Sequence, residues 1–326
     1  MTLKIAVIGC GWVSTVSHGP VYQRYAAAHP DVELSACCDL DLARAEQFAA
    51  QFGFSRVYSD YRQMLEAEHP TVACLNVPER FTSEMGCEIM RMGYPLLAEK
   101  PPGLSVVEID RLIDVSGATG ILHQVAFNRR HTPLLVELKR QLAGHAIHHI
   151  DHQFYRVGRT KYDFSATAVH AIDSLRFLAG DFAKIRFHYQ EFPALSQVAP
   201  VANFLLDCEL TSGATTSLSI SPISGINVER TTVHALDHTF CLHLNLGPDA
   251  PGSLLHYEKG NLAQNINAAE FSGSTDDTIL NGFDAQAVSF FESIRVNRQP
   301  ADTFASCRQS VEILQAMRER KAEYHL

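Results

Sequence analysis

Along the first 125 residues, short unbroken apolar runs alternate with stretches in which apolar residues return every third or fourth position. Runs of the first kind suit strands covered on both faces, and stretches of the second kind suit helices laid against them. The pattern predicts strands over Lys4 to Gly9, Val32 to Asp39, Val72 to Val77 and Pro95 to Ala98. It predicts helices over Val21 to Ala28, Ala43 to Phe52, Tyr61 to Glu68, Glu84 to Met92 and Val106 to Gly117. Strand and helix in alternation, with short links, build a parallel sheet wrapped by helices. Beyond Ile121 polar and apolar residues interleave, as in Ile185 to Phe192, Phe204 to Leu210 and Thr215 to Ile220, which fits an antiparallel sheet with one covered face. Two helical runs, Phe283 to Val296 and Ser306 to Glu323, close the chain, and the Gly and Pro clusters near 247–252 and 272–274 read as loops.

A length of 326 residues is about twice that of a common domain, so two are expected, 1–122 and 123–326. With 46% apolar and 19% charged residues, the composition excludes a disordered chain. No apolar run reaches the roughly 18 residues of a spanning helix. The balance of 27 basic against 36 acidic residues, with no basic block, argues against a nucleic-acid or anionic-membrane surface. Lys4 followed by Ile5-Ala6-Val7-Ile8 imitates a signal peptide, but Gly9 and Gly11 interrupt the run and a buried strand is the better reading. Eight cysteines without a Cys-x-x-Cys pair suit reduced, buried thiols and a cytoplasmic protein.

The first strand runs into Gly9-Cys10-Gly11-Trp12-Val13-Ser14, and a helical segment follows. Two glycines two apart let the backbone turn tightly and approach a pyrophosphate, which the free amides of the next helix would hold. Ser14 stands where the fingerprint has Gly or Ala, and it is small enough to pack closely. Asp39, at the end of the second strand, can accept from the adenosine ribose hydroxyls and would repel a 2′-phosphate, which predicts NAD in preference to NADP. Asp41 is the better N-cap of the helix that follows. The domain is thus read as a Rossmann-type NAD(P)-binding domain.

Farther along stand Asn76-Val77-Pro78, Ala98-Glu99-Lys100-Pro101, Phe127-Asn128-Arg129-Arg130-x-x-Pro133 and Val169-His170-Ala171-Ile172-Asp173. With the glycine loop, these resemble in order and spacing the Gfo/Idh/MocA family of pyridine-nucleotide oxidoreductases, most closely its MviM-like branch. The resemblance implies a second α/β domain whose large open, mainly antiparallel sheet carries the substrate side and often the oligomer contact, hence a homodimer or homotetramer. It implies a sugar, cyclitol or related polyol as substrate, and hydride transfer at a hydroxyl-bearing carbon. Gly9, Gly11, Trp12 and Val13 would hold the pyrophosphate and Asp39 the ribose. Asn76, Val77, Pro78, Glu99 and Asn128 would complete the cofactor site.

Such a reaction needs a group to exchange the hydroxyl proton and a donor at the oxygen. Lys100 matches the lysine of the family's Glu-Lys-Pro triplet and would polarise the oxygen. His170, three residues before Asp173 on a helix, would exchange the proton. The family commonly has an aspartate four residues before this histidine, where the chain has Ala166. That departure keeps open a non-catalytic nucleotide or sugar sensor on the same fold. A third reading is an NAD-using epimerase or glycosidase without net redox change. Arg129, Tyr155, Lys161 and Asp173 are the candidate substrate-binding residues, with Arg130, Arg156, Arg159 and Tyr162 as further polar groups. Among the histidines at 145, 148, 149 and 152, His148 and His152 would share a strand face roughly 13 Å apart, and His149 with Asp151 offers only two ligands on the other face, so no metal is expected.

Overall fold

The computed structural model describes residues 2–160, 162–196, 199–247 and 250–326. Its first unit opens with β1 (Leu3–Ile8), α1 (Gly19–Ala28), β2 (Val32–Cys38), α2 (Leu42–Phe52), β3 (Arg56–Tyr58), α3 (Tyr61–Glu68), β4 (Val72–Leu75), α4 (Glu79–Arg91), β5 (Leu96–Ala98), α5 (Val106–Thr119) and β6 (His123–Val125). All six strands are parallel in the order β3-β2-β1-β4-β5-β6. That is the doubly wound dinucleotide order, with its direction reversing between β1 and β4. Side chains of β1 and β4 are buried almost without exception, which is why these segments read as unbroken apolar runs. Asp41 and Asp60 cap α2 and α3 by accepting from Arg44 and from Arg62 and Gln63 backbone amides.

The second unit begins with a 3-10 turn at Asn128–His131 and α6 (Pro133–Gln141). There follow β7 (Ile147–Tyr155), α7 (Ser165–Ala179), β8 (Phe182–Glu191), β9 (Ala202–Leu210), β10 (Thr215–Ser221), β11 (Val228–Ala235), β12 (His238–His243), β13 (Ser253–Glu258) and β14 (Asn261–Asn267). Two short helices, α8 (Ala268–Ser272) and α9 (Asp277–Leu280), complete this stretch. The sheet has nine strands in the order β14-β13-β12-β11-β7-β10-β9-β8-β15, where β15 is Glu323–His325, and only β7 and β10 pair in parallel. One face packs Ile150, Phe154, Phe204, Leu218 and Val233 against apolar residues of α6 and α7. The other presents Asp151, Asp207, Glu209 and Ser217 to solvent, as the interleaved pattern requires.

The division differs from a boundary at residue 122. The first unit takes in Met1–Phe127 and Phe283–Val311, the second Asn128–Gly282 and Glu312–Leu326. β6 pairs with β5, which carries the first unit past 122. Helix α10 (Phe283–Arg295) returns to the first unit because Ala287, Phe290 and Phe291 fill the core around Tyr22 and Tyr25. The last expected helix is also shorter than its pattern. α11 (Arg308–Arg318) stops before Arg320, whose φ of 55° leaves the helix, and Glu323 enters an edge strand against β8.

Candidate active site

In the first unit the ends of β1, β2 and β4 open on a cleft of about 680 Å³. Gly9, Gly11, Asp39, Asn76, Val77 and Pro78 line it together, so the structure gathers six of the expected cofactor residues at the reversal point of the sheet. Gly9 has φ +95°, and a Cβ there would lie 2.2 Å from the Asn76 carbonyl oxygen, so only glycine fits the turn. At Gly11 an added Cβ meets open space, which leaves the backbone accessible from the cleft. The helix begins at Trp12 with a π-helical turn over Ser14–His18. Ser14 Oγ donates to the Gly9 carbonyl at 2.5 Å, so serine in the third fingerprint position ties the loop to the helix.

Asp39 lines the cleft just beyond β2. Its Oδ2 accepts from the Cys10 amide at 2.9 Å and its Oδ1 from the Asp41 amide at 2.9 Å. Arg44 Nη1 reaches the same Oδ1 at 3.3 Å. The sequence reading missed Arg44, Arg80 and Phe81, which also line the cleft. Arg44 had a readable signal, since it lies five residues after Asp39 in the first turn of α2.

Glu99 is buried and lies outside that lining set. Its Oε1 accepts from His18 Nε2 at 2.7 Å and its Oε2 from the Lys100 amide at 3.0 Å. Burial pushes the Glu99 carboxyl upward, but the hydrogen bond and charge of His18 outweigh it and hold the group below the usual carboxylate range. His18 went unnoticed in the sequence because 81 residues separate it from its partner. Lys100 follows directly at the end of β5, half-buried. Trp12 and Val13 stand exposed at the helix start.

In the second unit His170 is buried in α7, its ring 6.4 Å from that of Phe154 on the covered face of β7. Asp173 is fully enclosed, with its oxygens accepting from Arg130 Nε and Nη2 at 2.8 and 2.6 Å. The place of Asp173 is that of a residue holding α7 to the Asn128–His131 turn. Asn128 Nδ2 donates to the Asn281 carbonyl at 2.8 Å, within the same unit. Arg129 donates through Nε and Nη2 to Glu229 at 2.7 Å each. Tyr155 hydrogen-bonds Ser219 on the open face of the sheet, away from the face that carries Phe154 and His170. Lys161 lies outside the described residues. Ala166, one turn before His170, brings no carboxylate to it.

The residues at the cleft fit a dinucleotide: a forced glycine turn, an accessible second glycine, free helical amides and a carboxylate just beyond β2. All eight cysteines are free thiols, and burial pushes Cys38 and Cys74 up to about 12, which leaves them poor nucleophiles. Among the described residues no group of three or more His, Cys, Asp or Glu side chains could hold a metal ion, and no helix is long and apolar enough to cross a membrane.

Residues 3–127 match the family model GFO_IDH_MocA, described as an oxidoreductase family with an NAD-binding Rossmann fold. The D-glucoside 3-dehydrogenase of Escherichia coli is 28% identical over 142 residues, 44% of this chain and 39% of that protein. The inositol 2-dehydrogenase 2 of Saccharopolyspora erythraea is 29% identical over 189 residues, 55% of each. The chain thus aligns with about half the length, or less, of these curated relatives. A levoglucosan dehydrogenase solved in complex with NADH superposes with a TM-score of 0.82 over 100% of this chain and 99% of that one, at 18% identity, which shows a common fold. The family match covers the nucleotide-binding unit, which thus has the NAD-binding Rossmann domain of the Gfo/Idh/MocA oxidoreductases.

Proposed function

We propose that the protein is an NAD-dependent dehydrogenase acting at a hydroxyl-bearing carbon of a sugar, cyclitol or sugar derivative. The observation that carries this reading is the cleft at the ends of β1, β2 and β4, where Gly11 offers open backbone and Asp39 a carboxylate to one bound dinucleotide. The named dehydrogenases among its relatives supply the substrate class.

Bound NAD would supply the hydride acceptor or donor, and every other task falls to the chain. Gly9 and Gly11 hold the loop open to the pyrophosphate, and Asp39 accepts from the ribose hydroxyls. Asn76, Val77 and Pro78 bound the cleft beyond the phosphates. Lys100 donates to the reacting oxygen through its ammonium group, and Glu99 fixes the backbone from which that side chain leaves. His170 exchanges the hydroxyl proton. Arg130 and Asp173 hold the helix that carries it.

The test is absorbance at 340 nm with NAD and a panel of sugars, cyclitols and polyols, run beside Lys100→Ala. Turnover by the wild type, with a loss of about three powers of ten in Lys100→Ala and nucleotide binding little changed, supports the reading. Ala166 favours one alternative, a nucleotide-binding sensor, because the position four residues before His170 carries no carboxylate. Nucleotide binding without turnover of any compound identifies that case.

A further inference from the structure

The covered face of the nine-stranded sheet carries an unbalanced charge next to His170. Glu229 on β11 lies directly opposite Phe154 on β7. Its Oε1 accepts from Arg129 Nη2 and from Arg156 Nη2, and its Oε2 from Arg129 Nε. One carboxylate therefore answers two guanidinium groups. Arg129 and Arg156 are each 8% exposed and Glu229 4%, so bulk water does little to screen the difference. The neighbouring Arg130 and Asp173 form a pair of zero net charge. Among the described residues no second carboxylate bonds Arg129 or Arg156. Arg159, exposed on the loop after β7, adds repulsion to Arg156 rather than relief.

The two arginines differ in what they have left to give. Arg156 is consumed by structure: Nη1 donates to the carbonyls of Tyr155 at 2.8 Å and Val228 at 3.2 Å, and its guanidinium lies 3.9 Å from the centre of the Phe154 ring. Arg129 spends Nε and Nη2 on Glu229, while Nη1 has no partner among the described residues. The same Phe154 ring stands 6.4 Å from His170, which places this surplus in the histidine's immediate surroundings. Removing cations from water without an equal number of anions is costly, and an anion arriving with the substrate would offset that cost.

We propose that the compound on which His170 acts carries a carboxylate, received by Nη1 of Arg129: a sugar or cyclitol acid in preference to a neutral polyol. The surplus is one positive charge. That matches a carboxylate, at −1, better than a phosphate monoester, at about −1.5 to −2. Glu229 holds the Arg129 fork in place, which is a positioning role. This inference rests on the dehydrogenase reading for its substrate class, but the charge pattern can be tested by binding alone.

The experiment is calorimetric titration of the NADH-saturated protein with matched compounds: glucuronate, galacturonate and gluconate, then glucose, galactose and sorbitol, then glucose 6-phosphate. At least one acid should bind about tenfold or more tightly than its neutral counterpart, and Arg129→Gln should reduce that ratio to within about twofold. Glu229→Gln, which raises the surplus from one charge to two, should move the preference toward glucose 6-phosphate. Neutral compounds binding as well as their acids, no acid binding at all, or an acid preference that survives in folded Arg129→Gln each overturns the proposal. A phosphate ester preferred by the wild type also overturns it. Acid binding without turnover of any compound supports the anion site while removing the dehydrogenase reading. Equal turnover of an acid and its neutral partner does the reverse.

Discussion

His18 Nε2 donates to Glu99 Oε1 at 2.7 Å, joining the helix after the glycine loop to the residue before Lys100. Both side chains are nearly closed to solvent, at 2% and 10%. A carboxylate in that position depends on its donor, because no water replaces a lost hydrogen bond. Replacing His18 with leucine should therefore cost about 3 kcal/mol, measured by urea unfolding. Adding Glu99→Leu should recover part of that loss. A double variant as unstable as the sum of the two single ones would show that the pair is not coupled.

Gly9 and Gly11 should respond oppositely to one methyl group. Gly9→Ala places a Cβ on the Asn76 carbonyl in a left-handed conformation, so stability should fall by about 3 kcal/mol or more. Gly11→Ala meets no protein atom and should leave the unfolding midpoint nearly unchanged while weakening nucleotide binding by about tenfold or more. Thermal melting and NAD titration of both variants distinguish a fold requirement from a ligand requirement. Normal NAD affinity in Gly11→Ala would contradict the role given to that backbone.

On the proposed reading, Asp39 and Arg44 would set the choice between the two nicotinamide cofactors. The carboxylate would repel a 2′-phosphate, and it pairs with the guanidinium that could receive one. Asp39→Ala should weaken NAD and shift the NAD to NADP ratio toward NADP by about ten- to a hundredfold. Reversing Arg44 to glutamate in the same background should cancel the gain. An unchanged ratio in Asp39→Ala would leave Asp39 as a holder of the Cys10 and Asp41 amides only.

His152 gives the stability of the protein a pH dependence. Burial pushes its pKa down to about 4, against an ordinary value of 6.5, while its Nδ1 pairs with Thr231 Oγ1 at 2.8 Å. Between those values the unfolded chain binds a proton that the folded chain refuses, so its contribution is whole above about pH 6.5 and is lost as pH falls toward 4. The loss amounts to about 3 kcal/mol at most. His152→Asn should flatten the stability profile across that window. A profile of unchanged slope would show that His152 titrates normally.

Much of the nucleotide-binding unit was legible because its signals are local. β1 and β2 are mostly apolar and β4 is apolar throughout, and the glycine loop, Asp39 and the Asp41 cap each lie within a few residues of the element they serve. β3 and β6 were not legible, since Arg-Val-Tyr and His-Gln-Val become strands only through their neighbours β2 and β5. The return of α10 to the first unit was hidden for a similar reason: an amphipathic helix declares that it packs, not where. Glu229 reads in the sequence as one more polar position in an alternating strand. Its burial follows from Arg129 and Arg156, which lie 100 and 73 residues away.

The chain has one tryptophan, Trp12, and it stands 70% exposed at the first helical position after Gly11. Titration with NADH while exciting that residue reads the glycine loop directly, because the reduced nicotinamide absorbs where indole emits. Occupation of the cleft predicts saturable quenching of Trp12, with sensitised nicotinamide emission, at a Kd of about 1–100 μM, and its loss in Gly11→Val. Tryptophan emission indifferent to NADH, or quenching that persists unaltered in Gly11→Val, would contradict the assignment of this loop as the cofactor site.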